Sequence, residues 1–440
     1  MHVLLPRSYP VDTEGTPMTD RRTNWAGNVV FGAARLHHPT SVDEVRGIVA
    51  GSANVRALGS GHSFNPIADT TGDQILLAGM PPLMHIDAER STVTVGGGVR
   101  YGELAPPLHQ AGYALHNLGS LPHICIAGAT ATGTHGSGGT NGNLATAVRA
   151  LELVTASGDV VTIEFGDGDF NGSVVALGML GVVSSVTLAI EPSFAVAQYV
   201  YDGLSFAQFT ANLEATMSAD YSVSVFTDWR GPVMNQVWMK HRIDASQPWQ
   251  VWGHKQWLDA PVADGPRHPV PGVDPAACTE QGGVPGPWHE RLPHFRLDFT
   301  PSSGDELQSE YFIPRDAAVA AVTAISSIAH VIAPALQICE LRAIAADDLW
   351  LSPAYGRDSF ALHFTWISDM AAVIPALTAI EQQLAPFDAR PHWGKVFAMS
   401  PDLVRTRYER LPDFSDLVAR FDPTGKFRND FVDRFVPRTS

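Results

Sequence analysis

The sequence is short of cysteine, of positive charge and of long apolar runs, and each shortage excludes a class of protein. Of 440 residues only three are cysteines, Cys125, Cys278 and Cys339, spaced far apart. That spacing offers no disulfide framework and suits a reducing compartment. Lys and Arg number 29 against 45 Asp and Glu, a formal net charge of −16. A duplex-binding surface needs clustered basic residues, so nucleic acid, anionic membranes and polyanionic substrates are poor partners. No apolar stretch reaches transmembrane length; the longest, 317–333, is interrupted by Ser326, Ser327 and His330. Val3-Leu4-Leu5 stops at Pro6, too short for the apolar region of a signal peptide, and Arg21-Arg22 is followed by Thr23-Asn24-Trp25 rather than by an apolar run. The expectation is a soluble, cytoplasmic protein, monomeric by default.

Hydrophobic residues make up 45% of the chain, enough at this length for two or three domains with cores of their own. From about Ser41 strands and helices alternate. Ser41 caps a helix over 41–50, with Glu44 at the capping-box position and Val45 and Ile48 opening an apolar face. Residues 54–58 form a short strand entering a glycine turn, and 92–95 a half-buried strand that stops at Gly96-Gly97-Gly98. A helix over 101–111, a strand pair over 149–155 and 160–165, and a strand over 182–190 complete this first region. From about Ala195, helices over 205–217, 317–333 and 369–384 alternate with strands over 223–229, 236–242, 306–313, 336–344 and 360–367. Such α+β alternation predicts an antiparallel sheet with helices on one face. Residues 244–299, rich in Pro, Gly and Trp, read as a long irregular excursion, of the kind that is functional or mobile.

Chemistry enters at Arg56-Ala57-Leu58-Gly59-Ser60-Gly61-His62-Ser63-Phe64-Asn65, where a strand runs into a turn of glycines, serines and a histidine. Glycines admit a ligand close to the backbone, successive amides form an anion-binding nest, and serine hydroxyls add donors. A pyrophosphate is the natural guest, although an ordinary glycine turn reads the same way. A Rossmann fingerprint fails because Phe64 stands where the third glycine belongs, and Gly425-Lys426-Phe427 lacks the upstream glycine and the hydroxyl of a P-loop. A second polar glycine stretch, Ile126-Ala127-Gly128-Ala129-Thr130-Ala131-Thr132-Gly133-Thr134-His135-Gly136-Ser137-Gly138, points to a long cofactor threaded between the two.

These two stretches resemble the FAD-binding domain of the vanillyl-alcohol-oxidase type of flavoprotein. The resemblance extends from Thr23-Asn24-Trp25-Ala26-Gly27 to Asp422-Pro423-Thr424-Gly425-Lys426-Phe427. It is nearest to the bacterial alditol oxidases, which oxidise xylitol or sorbitol, and more distant to aldonolactone oxidases and dehydrogenases, which share the motif standing here as His392-Trp393-Gly394-Lys395. It implies an α+β, two-domain fold: an FAD-binding α+β domain at 23–192, a substrate domain with an antiparallel sheet and helices at 193–405, and a segment at 406–440 that returns to the first domain. It implies FAD attached covalently to His62. It also implies cofactor contacts from Ala57, Leu58, Gly59, Ser60, Gly61, His62, Ser63, Gly119, Ser120, Cys125, Gly128, Thr132, Gly133, Thr134, His135, Val183 and His392. Cys125 itself reads as a small packing residue, because doubly linked flavoproteins carry their cysteine in a different motif.

On the substrate side, strand periodicity puts Glu340 and Arg342 on one face, and His363 and Thr365 on one face of the next strand, with Leu362, Phe364 and Trp366 opposite. Without the resemblance, composition and spacing favour reading Glu340 and Arg342 as a solvated ion pair. With it, Ser120, Glu340, Arg342, Thr365 and Lys395 match residues that bind a polyol. The implied reaction is oxidation of a primary alcohol at C1, which needs that carbon held about 3–3.5 Å from the flavin. Arg342 and Lys395 would stabilise the developing alkoxide. The base is His363, or Lys395 with a depressed pKa. Gly119 falls where a small residue is thought to admit molecular oxygen, which predicts a true oxidase yielding hydrogen peroxide. An aldonolactone or other sugar oxidase or dehydrogenase is the alternative. No metal is expected: His289 and His294 are spaced i, i+5 with Pro293 between them, off a common helix face, and His37-His38 reads as surface.

Overall fold

Ser41 Oγ accepts from the Glu44 amide at 3.2 Å and starts the helix Val42–Gly51, which buries Val45 and Val49. Glu44 reaches one residue further back than a capping box requires, accepting from the Thr40 amide at 2.7 Å. The other end of this helix is met by Lys426, whose Nζ donates to Val49 O at 2.7 Å and to Ala156 O at 2.8 Å, a cation where the helix dipole favours one. The computed structural model describes residues 2–4, 22–81, 83–243, 253–299 and 305–438. The Val3-Leu4-Leu5 patch is described only as the backbone of the strand His2–Leu4, and Arg21 and residues 244–252 lie outside the described residues.

Among the described residues two main sheets build the first part of the chain, beside the short pair Tyr113–Ala114 and Glu191–Pro192. A parallel three-stranded sheet has the order Arg35–His37, Asp73–Leu76, Val55–Leu58. An antiparallel six-stranded sheet runs His2–Leu4, Leu83–Asp87, Thr92–Gly96, Val182–Ala189, Val148–Val154, Val160–Glu164. The second part is one antiparallel sheet of eight strands. Its order is Gly286–Pro287, Ala195–Ser205, Val233–Ile243, Ser222–Thr227, Leu336–Ile344, Ser359–Trp366, Leu307–Pro314, Arg390–Pro391. Leu341, Leu362 and Phe364 join Val322, Ile325, Leu377 and Ile380 of the helices Ala318–Ser327 and Met370–Leu384 in one buried cluster. On the opposite face Val200, Phe226, Trp238 and Ile338 pack with Cys278 and Phe295 of the excursion.

Two expected helices are broken. The one over 205–217 divides at Asn212 into Phe206–Ala211 and Leu213–Met217, where Asn212 Nδ2 donates to Gln208 O at 2.9 Å and competes for a helix acceptor. The one over 317–333 divides at Ile328 into Ala318–Ser327 and Ala329–Ile332, just after Ser327 Oγ donates to Ala324 O at 2.6 Å. The strand Ala195–Ser205 is absent from the sequence reading, since both of its faces are largely buried and the two-residue alternation is lost. No helix among the described residues is long and apolar enough to cross a membrane.

Candidate active site

The strand Val55–Leu58 delivers the first glycine loop, and Arg56 fixes its foot. Its buried guanidinium donates to Gly178 O at 3.1 Å, Phe427 O at 2.6 Å and Leu177 O at 2.8 Å, and also to Ile67 O. Gly59 is required by space, since a Cβ there would overlap Cys125 Sγ. Gly61 is required by conformation, with φ +69°. Cys125 binds the two glycine segments together. Its amide donates to Ser60 Oγ at 3.1 Å, and its Sγ accepts from the Gly128 amide at 3.3 Å. Among the described residues the amides of Ser60, Gly61, His62 and Ser63 donate to no protein carbonyl, which leaves a row of donors for an anion. His62 stacks on Trp25 with ring centroids 5.0 Å apart, and burial, His123 and Arg100 lower its pKa to about 3. Its ring is therefore neutral at pH 7.

The large sheet supplies the facing wall. Glu340 is in register with His363, and His363 with Glu310, so three neighbouring strands present one polar row. Glu310, which carries no special signal in the sequence, is the centre of it. Lys395 Nζ donates to its Oε2 at 2.7 Å, while Arg342 Nη2 at 3.1 Å and His135 Nε2 at 3.0 Å meet its Oε1. Burial alone would raise the Glu310 carboxyl, but Lys395, His135 and Arg342 outweigh it and hold the group well below the usual range. Glu340 is likewise held well below that range, burial being outweighed by Arg342 and His294. His294 Nε2 lies 2.9 Å from Glu340 Oε1. This histidine, dismissed in sequence as a metal ligand, arrives from the excursion, whose His294 amide also donates to Ser120 O at 3.1 Å. His289 goes elsewhere, its ring 5.1 Å from that of His109.

Between these walls lies a cleft partly open to solvent, about 1520 Å³ when the open solvent at its mouth is counted. Ala57, Leu58, Gly59, Ser60, Gly61, His62 and Ser63 line it from the first loop, and Gly119, Ser120, Cys125, Gly128, Thr132, Thr134 and His135 from the second region. Glu340, Arg342, His363, Thr365, His392 and Lys395 complete it, with Glu310, Gln308 and Phe295 in addition. Two expected contacts are not part of this lining. Gly133 turns the chain with φ +68°, and its missing Cβ leaves room for Pro353. Val183 sits in the ladder opposite Leu153. The rings of His135 and His392 also serve the protein: His135 holds Glu310, and His392 Nδ1 accepts from the Gly394 amide at 3.0 Å.

Three buried polar atoms on the sheet wall have no hydrogen-bond partner among the described residues: Arg342 Nε and both ring nitrogens of His363. His363 Nδ1 and Arg342 Nε are each 3.5 Å from Glu340, at Oε2 and Oε1, too far for good hydrogen bonds. Such atoms in a cleft call for a ligand. Burial and Lys395 lower the His363 pKa to about 4, so the ring is neutral and able to accept a proton. Burial also lowers the Lys395 pKa, with Glu310 opposing. A cleft that runs from both glycine segments to the sheet wall, with an amide row open at the glycine end and unsatisfied polar atoms at the other, fits FAD plus a small polar substrate.

Comparison with known proteins agrees. The FAD binding domain family profile matches residues 33–164, and the profile described as D-arabinono-1,4-lactone oxidase matches 305–435. An alditol oxidase of a Streptomyces species is 50% identical over 418 residues, covering 94% of this chain and 99% of that protein. An L-gulono-1,4-lactone dehydrogenase of Mycobacterium tuberculosis is 30% identical, covering 94% and 98%. The crystal structure of cholesterol oxidase from B. sterolicum superposes with a TM-score of 0.76 at 14% identity, over 95% of this chain and 96% of that one, which shows the shared two-domain fold. With half of its residues identical to an alditol oxidase along almost the whole length, the chain belongs to the alditol oxidase family of vanillyl-alcohol-oxidase type flavoproteins, and FAD is its cofactor.

Proposed function

We propose that the protein oxidises the terminal primary alcohol of open-chain sugar alcohols such as xylitol and sorbitol to the aldose, passing the electrons to oxygen to give hydrogen peroxide. The observation that carries this reading is the wall of Glu340, Arg342, His363 and Thr365 closed by Lys395. It is rich in hydrogen-bonding groups, as a neutral polyol requires. FAD binds along residues of the 23–192 region, and supplies the hydride acceptor and then the electron donor to oxygen. Ser120, Glu340 and Thr365 hold the hydroxyls. Arg342 and Lys395, both tied to Glu310, place fixed positive charge where the alkoxide develops. His363, neutral and without a hydrogen-bond partner among the described residues, receives the C1 hydroxyl proton; the ammonium of Lys395, occupied by Glu310, is the weaker assignment. The buried, unpaired cysteines support a reducing compartment such as the cytoplasm.

Oxygen consumption and peroxide release, measured with xylitol, sorbitol and L-gulono-1,4-lactone in parallel, test this. The reading expects one peroxide per polyol oxidised and a higher kcat/KM for the polyols; preference for the lactone would replace it with the lactone oxidase reading. The tether is tested separately. Acid-precipitated protein should retain flavin colour, and His62→Ala should release it to the supernatant.

A further inference from the structure

Lys240 is a buried lysine that none of the roles above uses. It lies on the strand Val233–Ile243, opposite Ser222, only 1% exposed, and among the described residues it forms no ion pair with a carboxylate. Its Nζ instead meets Leu292 O, Pro293 O at 3.2 Å and His294 Nδ1 at 3.0 Å. Burial lowers the Lys240 pKa to about 7, so its partners decide its protonation. The two carbonyls can only accept, and on the far side of the ring the Glu340 carboxylate, held well below the usual range, can only accept from His294 Nε2. His294 Nδ1 must therefore accept, and since burial and Lys240 lower the His294 pKa to about 4, the ring is neutral with its single proton on Nε2. That proton points at Glu340 Oε1, 2.9 Å away. Nζ thus faces three acceptors, which only the ammonium form can satisfy, and together with Glu340 it holds the tautomer in which the carboxylate meets a donor rather than a lone pair.

We infer that Lys240 is a positioning residue for polyol binding, acting through His294 to hold Glu340. This rests on the reading of Glu340 as a substrate ligand. With Oε1 taken by His294, Oε2 is left toward His363 and the cleft. Burial favours the neutral amine and brings the Lys240 pKa to about 7, while two carbonyls and an imidazole lone pair favour the ammonium. A purely structural role, pinning the excursion at Leu292 and Pro293 to the sheet, is the competing explanation, and it makes different predictions.

The test uses the holoenzyme, with flavin content, thermal unfolding, and the anaerobic xylitol Kd and limiting rate of flavin reduction measured for Lys240→Met, His294→Gln and the double variant. Lys240→Met should raise the Kd about tenfold, the loss of one hydrogen bond to a charged group, while the limiting rate changes less than about threefold. The double variant should be no weaker than the worse single one, because both act on the same bond. An unchanged Kd, or effects that multiply, overturns the inference. Should Lys240→Met not accumulate as a flavoprotein, Lys240→Gln takes its place with the same expectations, since an amide can donate or accept and selects no tautomer. Glu340→Gln separates the two readings. If it leaves the Kd unchanged, the polyol reading of Glu340 has failed; if it raises the Kd while Lys240 variants do not, only the inference about Lys240 has.

Discussion

At Glu310 the desolvation of a carboxylate is overcome by three donors, and the result is the keystone of the polar wall. Glu310→Gln would leave Lys395 buried without its countercharge and Arg342 with Glu340 alone, which should destabilise the protein by about 3–5 kcal/mol, read as a lower thermal unfolding temperature. The pH dependence follows from the direction of its shift. The folded pKa lies below the unfolded value, so the unfolded chain binds the proton more readily. The contribution to stability is complete above the ordinary glutamate range and is lost as pH falls through the depressed folded pKa. Acid unfolding of Glu310→Gln should be correspondingly less steep than that of the wild type. A second expectation concerns Gly119. A Cβ there would lie 3.6 Å from His135 O and 3.8 Å from Thr134 Cγ2, so alanine fits without displacement but leucine must extend further. Gly119→Leu should slow reoxidation by oxygen severalfold with little loss in flavin reduction by polyol; stopped-flow measurement of the two half-reactions gives both rates.

Elements explain what could be read in advance and what could not. That Glu340 shares a face with Arg342, and His363 with Thr365, was legible because a strand alternates its faces every two residues and the bulge in 336–344 falls before Ile338; their role as a substrate wall came from the family resemblance. Glu310 was not legible, because Leu-Gln-Ser-Glu-Tyr-Phe reads as any strand, and its meaning comes from Lys395 and His135, 85 and 175 residues away. His294 was illegible for a different reason: only the fold of the 253–299 excursion over the sheet brings it to Glu340. That excursion is a wall of the site. Phe295 is 4% exposed, packs in the cluster of Phe226, Trp238 and Ile338, and lines the cleft. Phe295→Ala should cost about 3–5 kcal/mol and weaken polyol binding, measured by denaturant unfolding and by the KM for xylitol. If the excursion were a passive covering, the KM would not move.

Over the whole molecule, residues 426–429 are tied to the strand and turn on either side of the first glycine loop. Lys426 O accepts from the Val55 amide at 2.9 Å, Phe427 O accepts from Arg56, and Asn429 Nδ2 donates to Asp69 O at 2.7 Å. Truncation after Phe421 strips Arg56 of an acceptor and the helix Val42–Gly51 of its terminal cation, so the product should carry little flavin per mole of protein. The central claim spans both halves: FAD lies along the glycine loops, and a polyol on the sheet wall reduces it. The most direct test is the visible spectrum recorded anaerobically before and after excess xylitol. The account predicts a flavin band that bleaches on addition and returns when air is admitted. A band that persists with xylitol and sorbitol yet bleaches with an aldonolactone would contradict it.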